Sequence, residues 1–129
     1  MPADSIDAHH HLRKYSAEDR PWMPDEMEAI QRDFPTADLK QALRERGIGG
    51  AVTLEARQTL AETDWLLDLD SANDVFRGLV GWAPLTISSL SHELERLAVH
   101  KKLNTVRRAL QDEPDWADVA CQKNRLYAI

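Results

Sequence analysis

Residues 48 to 56 run Ile-Gly-Gly-Ala-Val-Thr-Leu-Glu-Ala, and the apolar centre of this stretch indicates the fold. Such a nearly continuous apolar run is typical of a strand that is buried on both faces in a parallel sheet. Stretches of helical period lie on either side of it, and strand-like and helix-like segments alternate along the chain. The sequence therefore predicts an α/β fold made of βα units.

Four such units can be placed along the 129 residues. Strands are predicted at residues 5–12, 48–56, 75–85 and 104–110. A short helix is predicted at 25–32, and longer helices run from Thr36 to near Gly47, from Thr59 to Asn73 and from Ser88 to Ala98. Thr36 and Thr59 are the expected N-caps, and Gly47 is the residue at which the second helix can stop.

The composition limits the classes of partner. A hydrophobic content of 43% is enough for one domain, and a formal net charge of -6 leaves no basic stripe for nucleic acid or an anionic membrane. The single cysteine, Cys121, excludes an intramolecular disulfide and a thiolate metal site. No apolar stretch approaches the roughly 20 residues that span a bilayer. We expect a soluble protein of the reducing cytoplasm.

A histidine pair closes the first predicted strand, where residues 6 to 11 run Ile-Asp-Ala-His-His-His. Side chains two apart in a strand face the same way at about 6 to 7 Å, so His9 and His11 can converge on one ion or one substrate oxygen. Functional groups of parallel βα folds gather at the carboxyl ends of the strands. The other candidates at predicted strand ends are Glu55, Trp82, Arg107 and Arg108.

These residue types allow more than one chemistry. Two neutral imidazoles and a carboxylate suit zinc or a similar divalent ion, whereas imidazoles alone can donate hydrogen bonds to a developing oxyanion without a metal. An arginine suits an acidic group on the substrate. Ordinary structural roles are the alternative: Glu55 as a solvated charge, Arg107 as an ion-pair partner and Trp82 as a packing residue. The sequence leaves these interpretations open.

Five ordered blocks add a family resemblance. They comprise Ser-Ile-Asp-Ala-His-His-His-Leu at 5–12, the stretch from Pro21 to Leu39, Gly-Ile-Gly-Gly-Ala-Val-Thr-Leu-Glu-Ala at 47–56, Gly-Leu-Val-Gly-Trp-Ala-Pro-Leu at 78–85, and Val-Arg-Arg-Ala-Leu-Gln-Asp-Glu-Pro-Asp at 106–115. In this order the blocks resemble the amidohydrolase-related family of metal-dependent hydrolases, which includes sugar lactonases. Five ordered blocks are far more specific than one His-X-His motif.

The resemblance implies the N-terminal half of a (β/α)8 barrel that hydrolyses a lactone or a similar cyclic ester at its C-terminal face. It implies that His9 and His11 are catalytic or metal-binding and that His10, between them, is not a ligand. Glu55 matches a polar position after the second strand, and Arg107 or Arg108 matches a substrate-binding position after the fourth. The predicted site thus has His9, His11 and Glu55 as catalytic residues, with His9 and His11 as the ligands if a metal is bound. Its predicted substrate-binding residues, for a small-molecule substrate, are Trp82, Arg107 and Arg108.

The resemblance extends to about residue 116. We expect residues 1–116 to form a partial barrel domain and 117–129 a divergent tail, and a frameshift or premature stop near Trp116 would explain the change. The family's later histidines and its eighth-strand aspartate would lie beyond Ile129, so low or no activity is expected from this chain alone. A half barrel with an open sheet must rearrange, associate or aggregate, and a second copy could cover the sheet in a homo-oligomer. The alternative is a non-catalytic fragment or a small interaction domain.

Overall fold

The computed structural model describes residues 5–16, 18, 25–85 and 88–108 as one open parallel sheet flanked by helices. The strands are β1 (Ile6–His10), β2 (Gly50–Leu54), β3 (Phe76–Trp82) and β4 (Leu103–Arg107), and they pair in the order β1-β2-β3-β4. A 3-10 helix at Asp25–Ile30 precedes α1 (Thr36–Arg46), α2 (Leu60–Ala72) and α3 (Leu90–Leu97). Every strand pair is parallel, which confirms the predicted βα alternation.

The helix ends show where local sequence rules hold. The Thr59 hydroxyl accepts the N–H of Glu62 at 3.1 Å, and Gly47 ends α1 with φ of 66°, a conformation that favours glycine. Both predictions are confirmed. The prediction for Thr36 is wrong, because the Pro35 carbonyl accepts the N–H of Leu39 at 3.4 Å and makes Pro35 the N-cap. Thr36 is therefore the first helical residue and not the cap that precedes the helix.

Several predicted segments are longer than the observed ones. The short helix predicted at 25–32 is a 3-10 helix that stops at Ile30, and each of the first three strands is trimmed at both ends. The fourth strand begins at Leu103, while residues 109 and 110 of its predicted range lie outside the described residues. Among the helices of the described part, none is long and apolar enough to cross a membrane.

The core lies between the sheet and the helices. Its most deeply buried side chains include Leu66 of α2, Phe76 and Leu79 of β3, and Leu97 of α3. On α3 the leucines at spacings of four and three, Leu90, Leu94 and Leu97, are all buried, whereas on α1 Leu43 is buried and Ala42 is exposed. A side chain at Gly81 would place its Cβ 2.9 Å from Cγ2 of Thr63, so this glycine lets α2 close onto β3.

Asp70, near the end of α2, is a buried carboxyl group that is not part of the site predicted at the carboxyl ends of the strands. It is 1% exposed, and neither carboxyl oxygen has a hydrogen-bond partner among the described residues. Lys102 donates instead to the Asp70 main-chain carbonyl at 2.6 Å. Burial raises the pKa of Asp70 to about 7, and the positive charge of Lys102 opposes only part of that rise.

The substitution Asp70→Asn tests this burial through the pH dependence of stability. The folded pKa lies above the unfolded one, so the contribution of Asp70 to folding is fully present below about pH 4 and is lost as pH rises toward about 7. Between about pH 5 and about pH 8 the wild type should lose roughly 1 to 3 kcal/mol relative to the variant, measured by urea unfolding. Asp68→Asn, an exposed change on the same helix, is the control. If wild type and Asp70→Asn differed by the same free energy of unfolding at both pH values, the prediction would be contradicted.

Candidate active site at the carboxyl ends of the strands

The predicted histidine pair converges at the end of β1. The Nε2 atoms of His9 and His11 lie 3.2 Å apart, and their ring centroids are 5.1 Å apart in an edge-to-face arrangement. The Nδ1 atom of His11 lies 3.1 Å from the carbonyl oxygen of Leu54. Because a carbonyl can only accept, His11 carries its proton on Nδ1 and presents an unprotonated Nε2 to His9.

The pair fits two positions of a zinc site. Zinc binds imidazole nitrogens at about 2.0 to 2.1 Å, which places two tetrahedral ligands about 3.3 Å apart, close to the observed Nε2 separation. The bond from His11 to Leu54 is the kind of outer contact that orients a metal ligand. Burial lowers the pKa of His11, which favours the neutral, metal-binding ring. Among the described residues, no group of three or more His, Cys, Asp or Glu side chains is placed to hold a metal.

His10, the histidine between them, is engaged in packing. Its Nε2 lies 3.0 Å from the hydroxyl of Thr53, and its ring stacks on Phe76 with centroids 6.2 Å apart. Burial lowers the pKa of His10 to about 4, so the ring is neutral near pH 7. Asp7 accepts the main-chain N–H of His9 at 3.1 Å. Asp7 and Thr53 are not among the predicted site residues, although a polar residue inside a predicted strand is a signal that could have identified each.

Glu55 and Arg107 join the ends of β2 and β4. The Nε of Arg107 donates to the Glu55 carboxylate at 2.8 Å, and its Nη2 donates to the Glu55 carbonyl at 3.3 Å. Glu55 is 3% exposed, whereas the Arg107 side chain is 40% exposed. Glu55 is therefore a buried anchor for Arg107 and not a solvated charge. Among the described residues, the Nη1 of Arg107 makes no hydrogen bond, so this nitrogen is available to a ligand.

Trp82 lies beside Arg107 in the sheet, since the two residues are register partners of β3 and β4. The Thr63 hydroxyl accepts the N–H of Trp82 and donates to its carbonyl, both at 2.9 Å. The indole Nε1 is buried, with no hydrogen-bond partner in the described part of the chain. Thr63 is not among the predicted site residues, because nothing local links a helix threonine to a strand residue 19 positions away. Arg108 is half-buried directly after β4, and its binding role stays a prediction.

The loops after β1 and β2 are joined by hydrogen bonds at the carboxyl ends of the strands, the edge of the sheet that is called the rim below. The Glu62 carboxylate accepts the N–H groups of Ala56 at 2.8 Å and Arg57 at 2.5 Å. Arg57 in turn donates to the Lys14 carbonyl at 2.8 Å, and the Lys14 ammonium lies 5.4 Å from the centroid of Trp65. These contacts border a cavity of about 140 Å³. The rim is therefore held by α2 as well as by the strands.

Comparison with known proteins identifies the family. The amidohydrolase family model matches residues 6–129, and the chain belongs to this family. It is 33% identical over 115 residues to an L-fucono-1,5-lactonase of Burkholderia ambifaria, covering 88% of this chain and 40% of that protein. A second L-fucono-1,5-lactonase, from Burkholderia multivorans, is 33% identical over 117 residues, covering 89% of this chain and 38% of that protein. The chain thus spans about two fifths of the length of these relatives.

Solved structures give the same fold. An amidohydrolase of Burkholderia multivorans, crystallised with bound zinc, is 30% identical with a TM-score of 0.83, over 95% of this chain and 43% of that one. A crystal form with bound HEPES has a TM-score of 0.85 at 28% identity, over 95% of this chain and 42% of that one. The fold is that of part of an amidohydrolase barrel, which confirms the half-barrel prediction. Residues 117–129 lie outside the described residues, and the domain boundary at 116 stays a prediction.

A double-mutant cycle on Glu55→Gln and Arg107→Gln tests the anchor. The carboxylate is almost fully buried while the guanidinium is partly solvated, so we expect a coupling free energy of about 1 to 3 kcal/mol in urea unfolding. The exposed pair Arg32 and Asp38, with side chains 55% and 48% exposed at the same 2.8 Å, is a matched control that should couple by less than about 1 kcal/mol. Equal couplings in the two cycles would show that Glu55 is not a buried anchor.

Proposed function

We propose that this chain forms the N-terminal half of the active site of a lactone hydrolase, in which the His9 and His11 pair binds a divalent cation beside the substrate. The observation that carries this proposal is the 3.2 Å convergence of the two Nε2 atoms, with the tautomer of His11 set by Leu54. Membership of the amidohydrolase family and the likeness to L-fucono-1,5-lactonases support it. A sugar lactone is the proposed substrate class.

Zinc is the proposed cation, because the donor pair suits it and a neighbouring structure was crystallised with zinc. When bound, a divalent cation supplies Lewis acidity for the carbonyl. His11 presents its Nε2 while Leu54 keeps the proton on Nδ1, and His9 supplies the second nitrogen. The other ligands are proposed to come from sequence outside the described residues, as expected for a chain that covers 43% of that neighbour.

Arg107 is the proposed substrate-binding residue. Water adds to the lactone carbonyl carbon, the ring C–O bond breaks, the ring oxygen takes a proton from that water, and a hydroxy acid forms. Negative charge develops first on the carbonyl oxygen and, once the hydroxy acid has lost its proton to solvent, lies on the product carboxylate. The Nη1 of Arg107 can donate to either, since Nε and Nη2 are held by Glu55. Trp82, its register partner, is proposed to border the sugar.

Glu55 is proposed to act as a positioning residue. Its carboxylate is 3% exposed and bonded to Arg107, so it meets little of the water that a general base must activate. Glu55→Gln should weaken substrate binding, seen in KM, more than it slows turnover, seen in kcat.

The cytoplasmic location and the association of copies over the open sheet remain predictions.

Zinc titration of the purified chain by calorimetry tests the site. Wild type should bind one ion per chain, and His9→Ala or His11→Ala should each weaken binding roughly tenfold or more because each removes one ligand. His92→Ala, an exposed histidine on α3, is the matched control and should bind as wild type does. Zinc binding that persists in both His9→Ala and His11→Ala would contradict the assignment.

Hydrolysis of L-fucono-1,5-lactone, followed by acid release in a pH-stat, tests the reaction separately. Any zinc-dependent rate of the wild type should fall to background in His11→Ala and persist in His92→Ala. Zinc binding without hydrolysis would favour the alternative, a non-catalytic fragment. Hydrolysis that survives His11→Ala would contradict the proposed catalytic site.

A further inference from the structure

A groove of about 350 Å³ lies at the opposite end of the sheet from the histidine pair. Its walls include Ile48 and Gly49, which precede β2, and Asp74 and Val75, which precede β3. The active-site groups follow the strands instead. With a rise of about 3.3 Å per residue, the distance from Gly49 to Glu55 along β2 is roughly 20 Å. The groove is therefore separate from the site described above.

Three cationic side chains line this groove, Lys40 and Arg44 from α1 and Arg77 from β3, against the single carboxylate of Asp74. Among the described residues, none of the three cations forms an ion pair. Arg32, Arg96 and Arg107 all pair with carboxylates elsewhere in the chain. Three positive charges and one negative charge leave a local charge of +2 in a protein whose net charge is -6. This local excess favours a ligand that carries two negative charges.

Two of the cations are held in place. The Lys40 ammonium donates to the Asn73 side-chain oxygen at 2.5 Å, and Arg77 donates to the Gly49 carbonyl at 3.3 Å. The Arg77 side chain lies across Gly50, where an added Cβ would meet its Cγ and Nε at 2.7 Å. Because Gly50 has no side chain, the Arg77 side chain can lie directly against its backbone. A cation that is already fixed loses less conformational entropy when an anion binds.

The groove also has an apolar part. Leu43 is buried at its wall, and the side chains of Ile48 and Val75 are half-buried. A volume of about 350 Å³ is within the range of small-molecule sites, which combine apolar walls with a few placed polar groups. A phosphate monoester is a near-dianion at pH 7 with three acceptor oxygens. We propose that this groove binds a phosphate monoester whose organic part contacts Leu43, Ile48 and Val75.

NMR titrations of the chain with inorganic phosphate and phenyl phosphate, at constant ionic strength, test the proposal. We expect saturable shifts of the amides of Ile48, Gly49, Asp74 and Val75, with phenyl phosphate binding more tightly than phosphate because its ring covers the apolar wall. Shifts elsewhere, or none, would overturn the site. Equal affinity for both probes, or tighter binding of succinate than of phenyl phosphate, would overturn the ligand class.

Single substitutions test which cations bind the phosphate group. Arg44→Ala and Arg77→Ala should each weaken binding of phenyl phosphate roughly tenfold or more, because each removes a charge-assisted contact. Arg46→Ala is the matched control: it removes the same charge from an exposed position of α1 outside the groove, and should change the affinity less than about twofold. Arg44 is itself exposed, so its removal should leave the fold intact. If Arg44→Ala and Arg46→Ala weakened phenyl phosphate binding equally, the assignment of this groove as the binding site would be contradicted.

Discussion

The carboxyl end of β2 holds the ends of all four strands together. The Leu54 carbonyl accepts Nδ1 of His11 after β1, the Glu55 N–H donates to Val80 of β3 at 2.8 Å, and the Glu55 carboxylate and carbonyl accept from Arg107 of β4. Two consecutive residues thus set the tautomer of one histidine and the position of one arginine. The candidate active site depends on this junction because its groups come from different strands.

Much of the fold follows from sequence patterns that are local. The apolar run of β2, the 4-and-3 leucine spacing of α3, the Thr59 cap and the stop at Gly47 each depend on neighbouring residues, and each is observed. The strand-end rule also placed His9, His11, Glu55, Trp82 and Arg107 at one rim. What sequence did not provide are contacts across long separations, such as Thr63 with Trp82 and His10 with Thr53. These depend on register and on helix packing.

The two ends of a parallel sheet face different requirements. At the carboxyl end, polar contacts position two imidazoles and one arginine, and the family relationship gives them a chemical interpretation. At the amino end, glycine at position 50 makes room for Arg77, and cations gather without carboxylate partners among the described residues. Loops at both ends of the strands vary independently of the packed core. One sheet can therefore carry two sites that differ in charge and chemistry.

The most direct test of the junction is the protonation state of His11, measured by long-range 1H–15N NMR of the imidazole ring at neutral pH. The structure predicts a proton on Nδ1, held by the Leu54 carbonyl, and an unprotonated Nε2 whose resonance shifts when zinc is added. A proton on Nε2 of His11, with no change on addition of zinc, would contradict the assignment of this rim as a cation-binding active site.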